Sequence, residues 1–428
     1  MKKVLIITYY WPPAGGPGVQ RWLKFVKYLP DFGIEPIVFI PENPTYPIQD
    51  KSLFEEVSPN LKVIKQPIFE PYKFANLIAK KKTNQFSSGI IDPQKEQTFL
   101  QKTMLSIRGN LFIPDARKFW INPSTKFLKS YVKKHQINTI ITTGPPHSVH
   151  LIGLKLKQKL NLKWIADFRD PWTKISYHKR LRLSKYSQKR HRQLEATVLK
   201  NTNHIITTSC KTKQDFKKIT NQPITVITNG YDIYYKKNTQ TLDNTFTLSH
   251  IGNLLSGRNP ENLWIALSEL IEEYPKIKSQ LKIQFIGKLS DETVQSLNLN
   301  KLAPYIKIID YVPHKKAIEY QKKSQILLLI EVDSKETREI IPGKLFEYLN
   351  AKRPILAIGP KDWEVKKIIE ETNSGFCFSF QDKKEIKSVL LTFFKAYQKG
   401  KLTVDSKNIA QYHRKNLTKN LSEIIKSL

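Results

Sequence analysis

The sequence predicts an α/β protein built from two doubly wound parallel sheets. Two observations carry this. Short apolar runs alternate with longer amphipathic ones along the whole chain, the pattern of buried strands linked by helices. The runs also fall into two series, parted by the polar, aperiodic stretch 234–244 (YYKKNTQTLDN), whose composition suits a linker. A chain of 428 residues has room for two or three domains at roughly 100–200 residues each. The expected division is 1–240 and 241–428.

In the first series, strands are expected at 4–8, 36–39, 139–142, 164–166, 204–207 and 225–227. Each is a run of β-branched or aromatic residues bounded by polar or turn residues. Helical periodicity marks 19–29 and 148–159. Residues 70–125 fit this pattern least, and the Lys-, Gln- and Ser-rich segment 80–97 is expected to be a mobile insertion. In the second series, strands are expected at 247–251, 282–286, 306–309, 326–330 and 355–358. Helices are expected at 260–273, 342–350 and 365–371. In such sheets ligands bind beyond the carboxyl ends of the strands. A cleft between the two sets of strand ends is therefore expected, with chemistry-bearing motifs just after strands.

Composition narrows the function classes. Hydrophobic residues are 40% and aromatics 11%, enough for real cores. No apolar run reaches the ~18–20 residues of a spanning helix, and mean hydropathy is −0.43. Cys210 and Cys377 make neither a disulfide framework nor a zinc spacing, as suits a reducing cytoplasm. Met1-Lys2-Lys3 before Val4-Leu5-Ile6-Ile7 begins like a signal peptide, but the apolar stretch is short and Trp11-Pro12-Pro13 follows. A cytoplasmic protein is expected.

The 71 Lys and Arg against 37 Asp and Glu give a net charge of +34. Nucleic acid, an anionic membrane and anionic substrates all fit such an excess. No nucleic-acid-binding signature is present. One stretch, 177–200, carries eight Lys or Arg and a single acid, Glu195. With Leu181, Leu183, Tyr186, Leu194 and Val198 interspersed, it reads as a basic amphipathic helix for anionic lipid or as an ordinary solvated helix face.

Six motifs follow strands. Pro12-Pro13-Ala14-Gly15-Gly16-Pro17-Gly18 leads into a helix, where glycines let backbone N–H groups approach an anion. Arg21 stands where a dinucleotide fingerprint needs its third glycine. Thr142-Thr143-Gly144-Pro145-Pro146-His147-Ser148 offers Ser148 as an N-cap and His147 as a base or phosphate ligand. Ala166-Asp167-Phe168-Arg169-Asp170-Pro171-Trp172 sets two carboxylates about an arginine. Asp167 is a candidate catalytic carboxylate, and Arg169 and Asp170 are candidate acceptor ligands; an internal ion network is the alternative. Asn229-Gly230-Tyr231-Asp232 marks a turn. His250-Ile251-Gly252-Asn253-Leu254-Leu255-Ser256-Gly257-Arg258 suits a diphosphate held by Gly252 and the Arg258 guanidinium. The most specific motif is 339–354 (EIIPGKLFEYLNAKRP). Pro342 starts a helix whose leading N–H groups, on Gly343, Lys344 and Leu345, face outward for phosphate. Glu347 lies one turn on, and Glu339 stands eight residues before it.

Taken in order, these motifs resemble a GT-B-fold glycosyltransferase of the large retaining family 4. The likeness spans almost the whole chain and is strongest at 339–354, which resembles the family's Glu-x7-Glu element. Gly15 and Gly16 match its Gly-rich loop, and Asn229-Gly230-Tyr231-Asp232 its Asn-Gly-x-Asp junction. The resemblance implies two Rossmann-like domains, the second holding a UDP- or GDP-sugar donor and the first an acceptor. It implies that Glu339 contacts the donor hexose, Glu347 the ribose hydroxyls and Arg258 the diphosphate. Asn253 stands where the family commonly has arginine, which leaves Lys344 as the candidate second cation. Retaining chemistry implies front-face displacement with the donor phosphate assisting acceptor deprotonation, so His147 need not be a base. No metal motif and no cofactor are expected. The expected partners are a nucleotide sugar, a lipid-linked or glycan acceptor and an anionic membrane surface, with no nucleic acid. Two other classes stay open: a GT-B-fold nucleotide-sugar epimerase and a non-catalytic polyanion binder.

Overall fold

A computed structural model describes residues 1–70, 99–175, 178, 181–232 and 241–428. The segment 80–97 and most of the 234–244 linker lie outside the described residues. The chain divides into two compact units. Of the described residues, the first unit holds those up to Asn229 together with Arg414–Leu428, and the second runs from Gly230 to His413.

The first unit is a seven-stranded parallel sheet: β1 Lys2–Thr8, β2 Ile34–Glu42, β3 Lys62–Pro67, β4 Thr139–Gly144, β5 Lys163–Phe168, β6 His204–Thr207 and β7 Ile224–Val226. Their order is β3-β2-β1-β4-β5-β6-β7. The central strands read as continuous apolar runs because helices cover both faces; Val4, Leu5, Ile6 and Ile7 are all fully buried. The helix Pro17–Tyr28 starts on a proline and packs against the C-terminal helix Arg414–Ser427. Leu417, Leu421, Ile424 and Ile425 join the first core there. Arg414 donates to Gln20 Oε1 at 3.1 Å, and Lys2 Nζ donates to the Ile425 carbonyl at 2.6 Å.

The second unit is a six-stranded parallel sheet: β8 Phe246–Ile251, β9 Leu281–Ile286, β10 Ile306–Ile309, β11 Ile326–Ile330, β12 Ile355–Gly359 and β13 Gly375–Ser379. The order is β10-β9-β8-β11-β12-β13. Its two faces bury separate clusters, one around Trp264, Phe285 and Leu390, the other around Tyr348, Leu345 and Trp363.

Both sheets reverse winding direction beside their first strand, between β1 and β4 and between β8 and β11. That switch point parts the loops on either side and opens a crevice at the carboxyl ends. The Gly15 and His147 loops follow β1 and β4; the Gly252 loop and the 331–342 segment follow β8 and β11.

Two local expectations are corrected. Ser148 is the first residue of the helix Ser148–Lys159, not its cap. The Asp115 carboxylate caps that end instead, accepting from Ser148 N at 2.9 Å. The basic stretch is not one helix from 177: the helix is Lys185–Asn201, capped by Ser184. Leu181 is buried before it, while Tyr177, Lys179 and Arg180 lie outside the described residues. The lone acid, Glu195, is buried and accepts from Trp172 N, Thr173 N and Thr173 Oγ1 at 3.2, 3.1 and 2.6 Å.

Candidate functional site

At the switch point of the second unit, β8 ends in His250-Ile251 and turns at Gly252, whose φ is +114°. Only glycine holds that conformation without strain. It also clears space, since a Cβ at Gly252 would lie 2.9 Å from Lys344 Nζ. Lys344 is the second residue of the helix Gly343–Ala351, with Pro342 in extended conformation before it. The Leu345 amide is already spent on the Pro342 carbonyl at 3.0 Å, and its side chain is core. This corrects the expectation of three outward amides: those at the helix tip belong to Gly343 and Lys344.

Lys344 reaches back over Gly252 to 3.4 Å from His250 Nε2. His250 is fully buried, and its Nδ1 lies 3.1 Å from the Leu328 carbonyl. Nδ1 therefore carries the proton, and Nε2 offers its lone pair to the ammonium. Burial and the adjacent Lys344 push His250 well below its ordinary pKa, which keeps it neutral. Burial also pushes Lys344 down to about 8; Arg258 adds to the fall, and Glu331 and Glu347 oppose it. A cation with its pKa near neutrality gains most from an arriving anion.

Arg258 is oriented by Glu331, the buried residue just past β11. Its Nε and Nη2 lie 2.9 and 2.7 Å from Glu331 Oε1, which also accepts from Val332 N at 2.9 Å. Asn253 supports the loop rather than a ligand, with Oδ1 accepting from Lys288 N at 3.0 Å. Glu347 is held at both oxygens: Oε1 lies 2.8 Å from His314 Nε2, and Oε2 accepts from Gln321 Nε2 at 2.8 Å. Glu339 is half-buried in the turns of 331–342, beside Ile340, whose carbonyl accepts from Trp363 Nε1 at 2.7 Å. Gly252, Arg258, Gly343, Lys344 and Glu347 are thus gathered around one strand end. Glu331, His314 and Gln321, which hold Arg258 and Glu347, and His250 as the neighbour of Lys344 are contacts that sequence reading missed.

In the first unit Asp167 is fully buried on β5. It takes Arg21 Nη2 at 3.0 Å, Trp22 Nε1 at 2.7 Å and Thr143 Oγ1 at 2.8 Å. Arg21 also donates to the Thr228 carbonyl at 2.6 Å. Both oxygens of a fully buried carboxylate are thus taken up by Arg21, Trp22 and Thr143, the geometry of an internal ion network. Arg169 lies against Gly18, where a Cβ would fall 1.5 Å from its Nη1. Its guanidinium donates to the carbonyls of Gly144 and Pro145, tying the loop after β4 to the glycine loop. Burial raises the Asp170 carboxyl, and Arg169 opposes the rise. Gly15 donates to the Ile48 carbonyl at 3.0 Å, while Gly16, at φ +104°, faces open space.

His147 is buried and stacks on Trp172 at 4.8 Å, with rings 3° from parallel. Burial, then the neighbouring His150, His178 and Arg169, push it well below the ordinary histidine range. A base so weak takes a proton poorly at neutral pH. Among the described residues no cluster of His, Cys, Asp or Glu has metal-holding geometry.

Comparison with solved structures decides the fold. Sucrose-phosphate synthase from Thermosynechococcus elongatus aligns over 100% of this chain and 99% of its own at TM-score 0.61 and 12% identity. The fold is GT-B.

Other GT-B structures align over similar lengths. The lipopolysaccharide outer core galactosyltransferase WaaB aligns over 99% of each chain at TM-score 0.58 and 12% identity. A putative UDP-N-acetylglucosamine 2-epimerase from Listeria monocytogenes covers 100% of this chain and 96% of its own at TM-score 0.54 and 11% identity. Residues 90–234 match the model of Glycosyltransferase Family 4. The chain is therefore similar to GT-B glycosyltransferases of family 4, as its motifs suggest. A comparison with curated proteins found no match.

Proposed function

We propose that this GT-B chain is a glycosyltransferase that moves a sugar from a UDP- or GDP-linked donor to a lipid-linked or glycan acceptor, with retention. The observation that carries it is the placement of Lys344 over Gly252, with Glu347 one turn along the same helix. The diphosphate lies against Gly252, the tip of the helix Gly343–Ala351, Lys344 and Arg258. Glu347 accepts from the ribose hydroxyls, and Glu339 faces the transferred hexose. Pre-aligned cations and helix amides stabilise the negative charge that grows on the departing nucleoside diphosphate. They need no reorganisation, because Glu331 holds Arg258 while His314 and Gln321 hold Glu347. On this reading the transfer needs no metal and no dedicated protein base: a donor phosphate oxygen takes the acceptor proton.

The acceptor belongs to the first unit. Cell-surface polysaccharide or lipopolysaccharide assembly is the pathway class this reading favours. No described helix is long and apolar enough to cross a membrane. Contact with an anionic leaflet is instead proposed for the exposed side of the helix Lys185–Asn201, where Lys185, Tyr186, Lys189, Arg190 and Arg192 face solvent. The likeness to an epimerase structure keeps one rival reading. The two separate by product: a transferase releases nucleoside diphosphate only when an acceptor is supplied, whereas an epimerase interconverts the nucleotide sugar without one. Acceptor-free interconversion would contradict the transferase reading.

A further inference from the structure

The first unit carries a groove on its helix layer, outside the crevice at its strand ends. The helix Ile121–Lys134 packs beside the helix Ser148–Lys159. Leu128, Val132, Ile152 and Leu156 enter the first core from these two helices. On the opposite side, facing solvent, the helices leave between them a groove of about 570 Å³.

Its walls carry charge of one sign. Lys126, Lys129 and Lys133 line it from the first helix, and Lys155 and Lys159 from the second. The i, i+3, i+7 and i, i+4 spacings put each set on a single helix face, where like charges oppose one another. Neither helix contains an Asp or a Glu. Other helices of this chain pair their lysines: Lys383 and Lys387 meet Glu269 at 2.6 and 2.8 Å. Among the described residues the groove lysines have only a neutral partner: Lys155 Nζ donates to Asn122 Oδ1 at 2.6 Å, across the two helices. The helix dipole favours cations in the last turn, which accounts for Lys133 and Lys159. It does not account for Lys126, Lys129 and Lys155, which stand further back.

A cleft lined by one sign of charge focuses its field and gathers the opposite charge. The form of the groove selects among polyanions. A bilayer is flat and would meet only the rim, and no apolar side chain that could enter a leaflet lines the groove. Single-stranded nucleic acid is held by stacking of its bases on aromatic rings, and none lines the groove either. A linear chain with spaced charges and hydroxyls between them fits both the concave form and the lining. Lys126 to Lys133 covers two helical turns, about 10 Å of axis at 1.5 Å per residue, so successive charged units of such a chain meet successive lysines. Asn122 and Ser130 add neutral hydrogen-bonding groups beside them.

We infer that this groove binds a linear acidic polysaccharide, its anionic groups on the five lysines and its hydroxyls on Asn122 and Ser130. The groove holds a length of polymer away from the end that reacts. This rests on the transferase reading above and specifies the glycan that the protein handles as an anionic one.

The test uses the full chain and the fluorescence anisotropy of labelled oligogalacturonate, with neutral dextran, single-stranded DNA and phosphatidylglycerol vesicles run in parallel. UDP binding is measured calorimetrically on the same samples. One variant carries Lys126→Gln, Lys129→Gln and Lys133→Gln together; a second carries Lys155→Gln and Lys159→Gln, and is read if the first melts early. A control variant removes equal charge from exposed lysines of the second unit, by Lys276→Gln, Lys278→Gln and Lys384→Gln. Oligogalacturonate is expected to bind and dextran not to. Affinity should fall at least about tenfold in the groove variant and less than about twofold in the control, with UDP affinity unchanged in both. No binding of oligogalacturonate, an equal loss in groove and control variants, or tighter binding of DNA or vesicles through the same lysines would overturn the inference. Failure to bind oligogalacturonate with UDP binding intact refutes the groove and leaves the donor site standing. Groove-dependent binding without UDP binding refutes the donor site instead.

Discussion

Lys344 Nζ lies 3.4 Å from Nε2 of His250, over a glycine that leaves it room. The ammonium belongs to the start of a helix and the imidazole to the end of a strand, 94 residues apart. Their meeting puts a partly desolvated cation at the crevice of the second sheet.

Removing that cation tests its role. Charge-assisted hydrogen bonds contribute about 1.5–3 kcal/mol, so Lys344→Met should weaken nucleoside diphosphate binding by roughly 10–100-fold. Calorimetry on the two proteins measures this. Equal affinities would remove Lys344 from the donor site.

The same residue predicts a pH dependence. With its pKa lowered to about 8, Lys344 is charged below that pH and neutral above it. Diphosphate affinity should therefore hold between pH 7 and 8 and decline toward pH 9.5, and Lys344→Met should flatten the decline. Folding stability runs the other way. The unfolded chain, with its lysine near 10.5, binds the extra proton between about pH 8 and 10.5, so this group favours folding as pH rises through that window.

Gly252→Ala should injure the donor site without touching the first unit. The new Cβ would meet Lys344 Nζ at 2.9 Å, at a φ of +114°. Strain of about 1–3 kcal/mol is expected from the backbone alone, together with weaker nucleotide binding. Melting curves and titration with UDP and GDP report both.

Asp167→Asn should act on stability first. Asp167 is fully buried, with Arg21 Nη2 at 3.0 Å, and breaking a buried pair by removing one charge costs about 3–5 kcal/mol. Chemical denaturation measures the loss. A protein of unchanged stability that no longer transfers sugar would return Asp167 to the chemistry.

Most of the fold was legible because the central strands are long apolar runs, such as Val4–Ile7 in β1 and the whole of β11. The two strands that escaped, β3 and β13, lie at sheet edges. β3 mixes exposed lysines with half-buried residues, and β13 opens on a glycine and is only partly covered. Neither carries the continuous pattern of a strand buried on both faces. The helix Gly343–Ala351 was legible from Pro342-Gly343 and the charged residues behind it. Its supports were not. Arg258 finds Glu331 73 residues on, and Glu347 finds His314 and Gln321 33 and 26 residues back. Such pairings arise from sheet order and leave no local periodicity. Asp167 and Arg169 looked available for a ligand because their partners come from elements distant in sequence: Arg21 and Trp22 from the helix Pro17–Tyr28, and the Gly144 and Pro145 carbonyls from the end of β4.

The central claim is that the helix Gly343–Ala351 holds the nucleotide sugar through Glu347 and the cations beside it. Calorimetric titration of UDP- and GDP-sugars into the unaltered protein and into Glu347→Ala tests it most directly. Saturable binding of one nucleotide class to the unaltered protein is expected, weakened at least tenfold in a Glu347→Ala protein that melts normally. Equal binding by both proteins, or none by either, would contradict it.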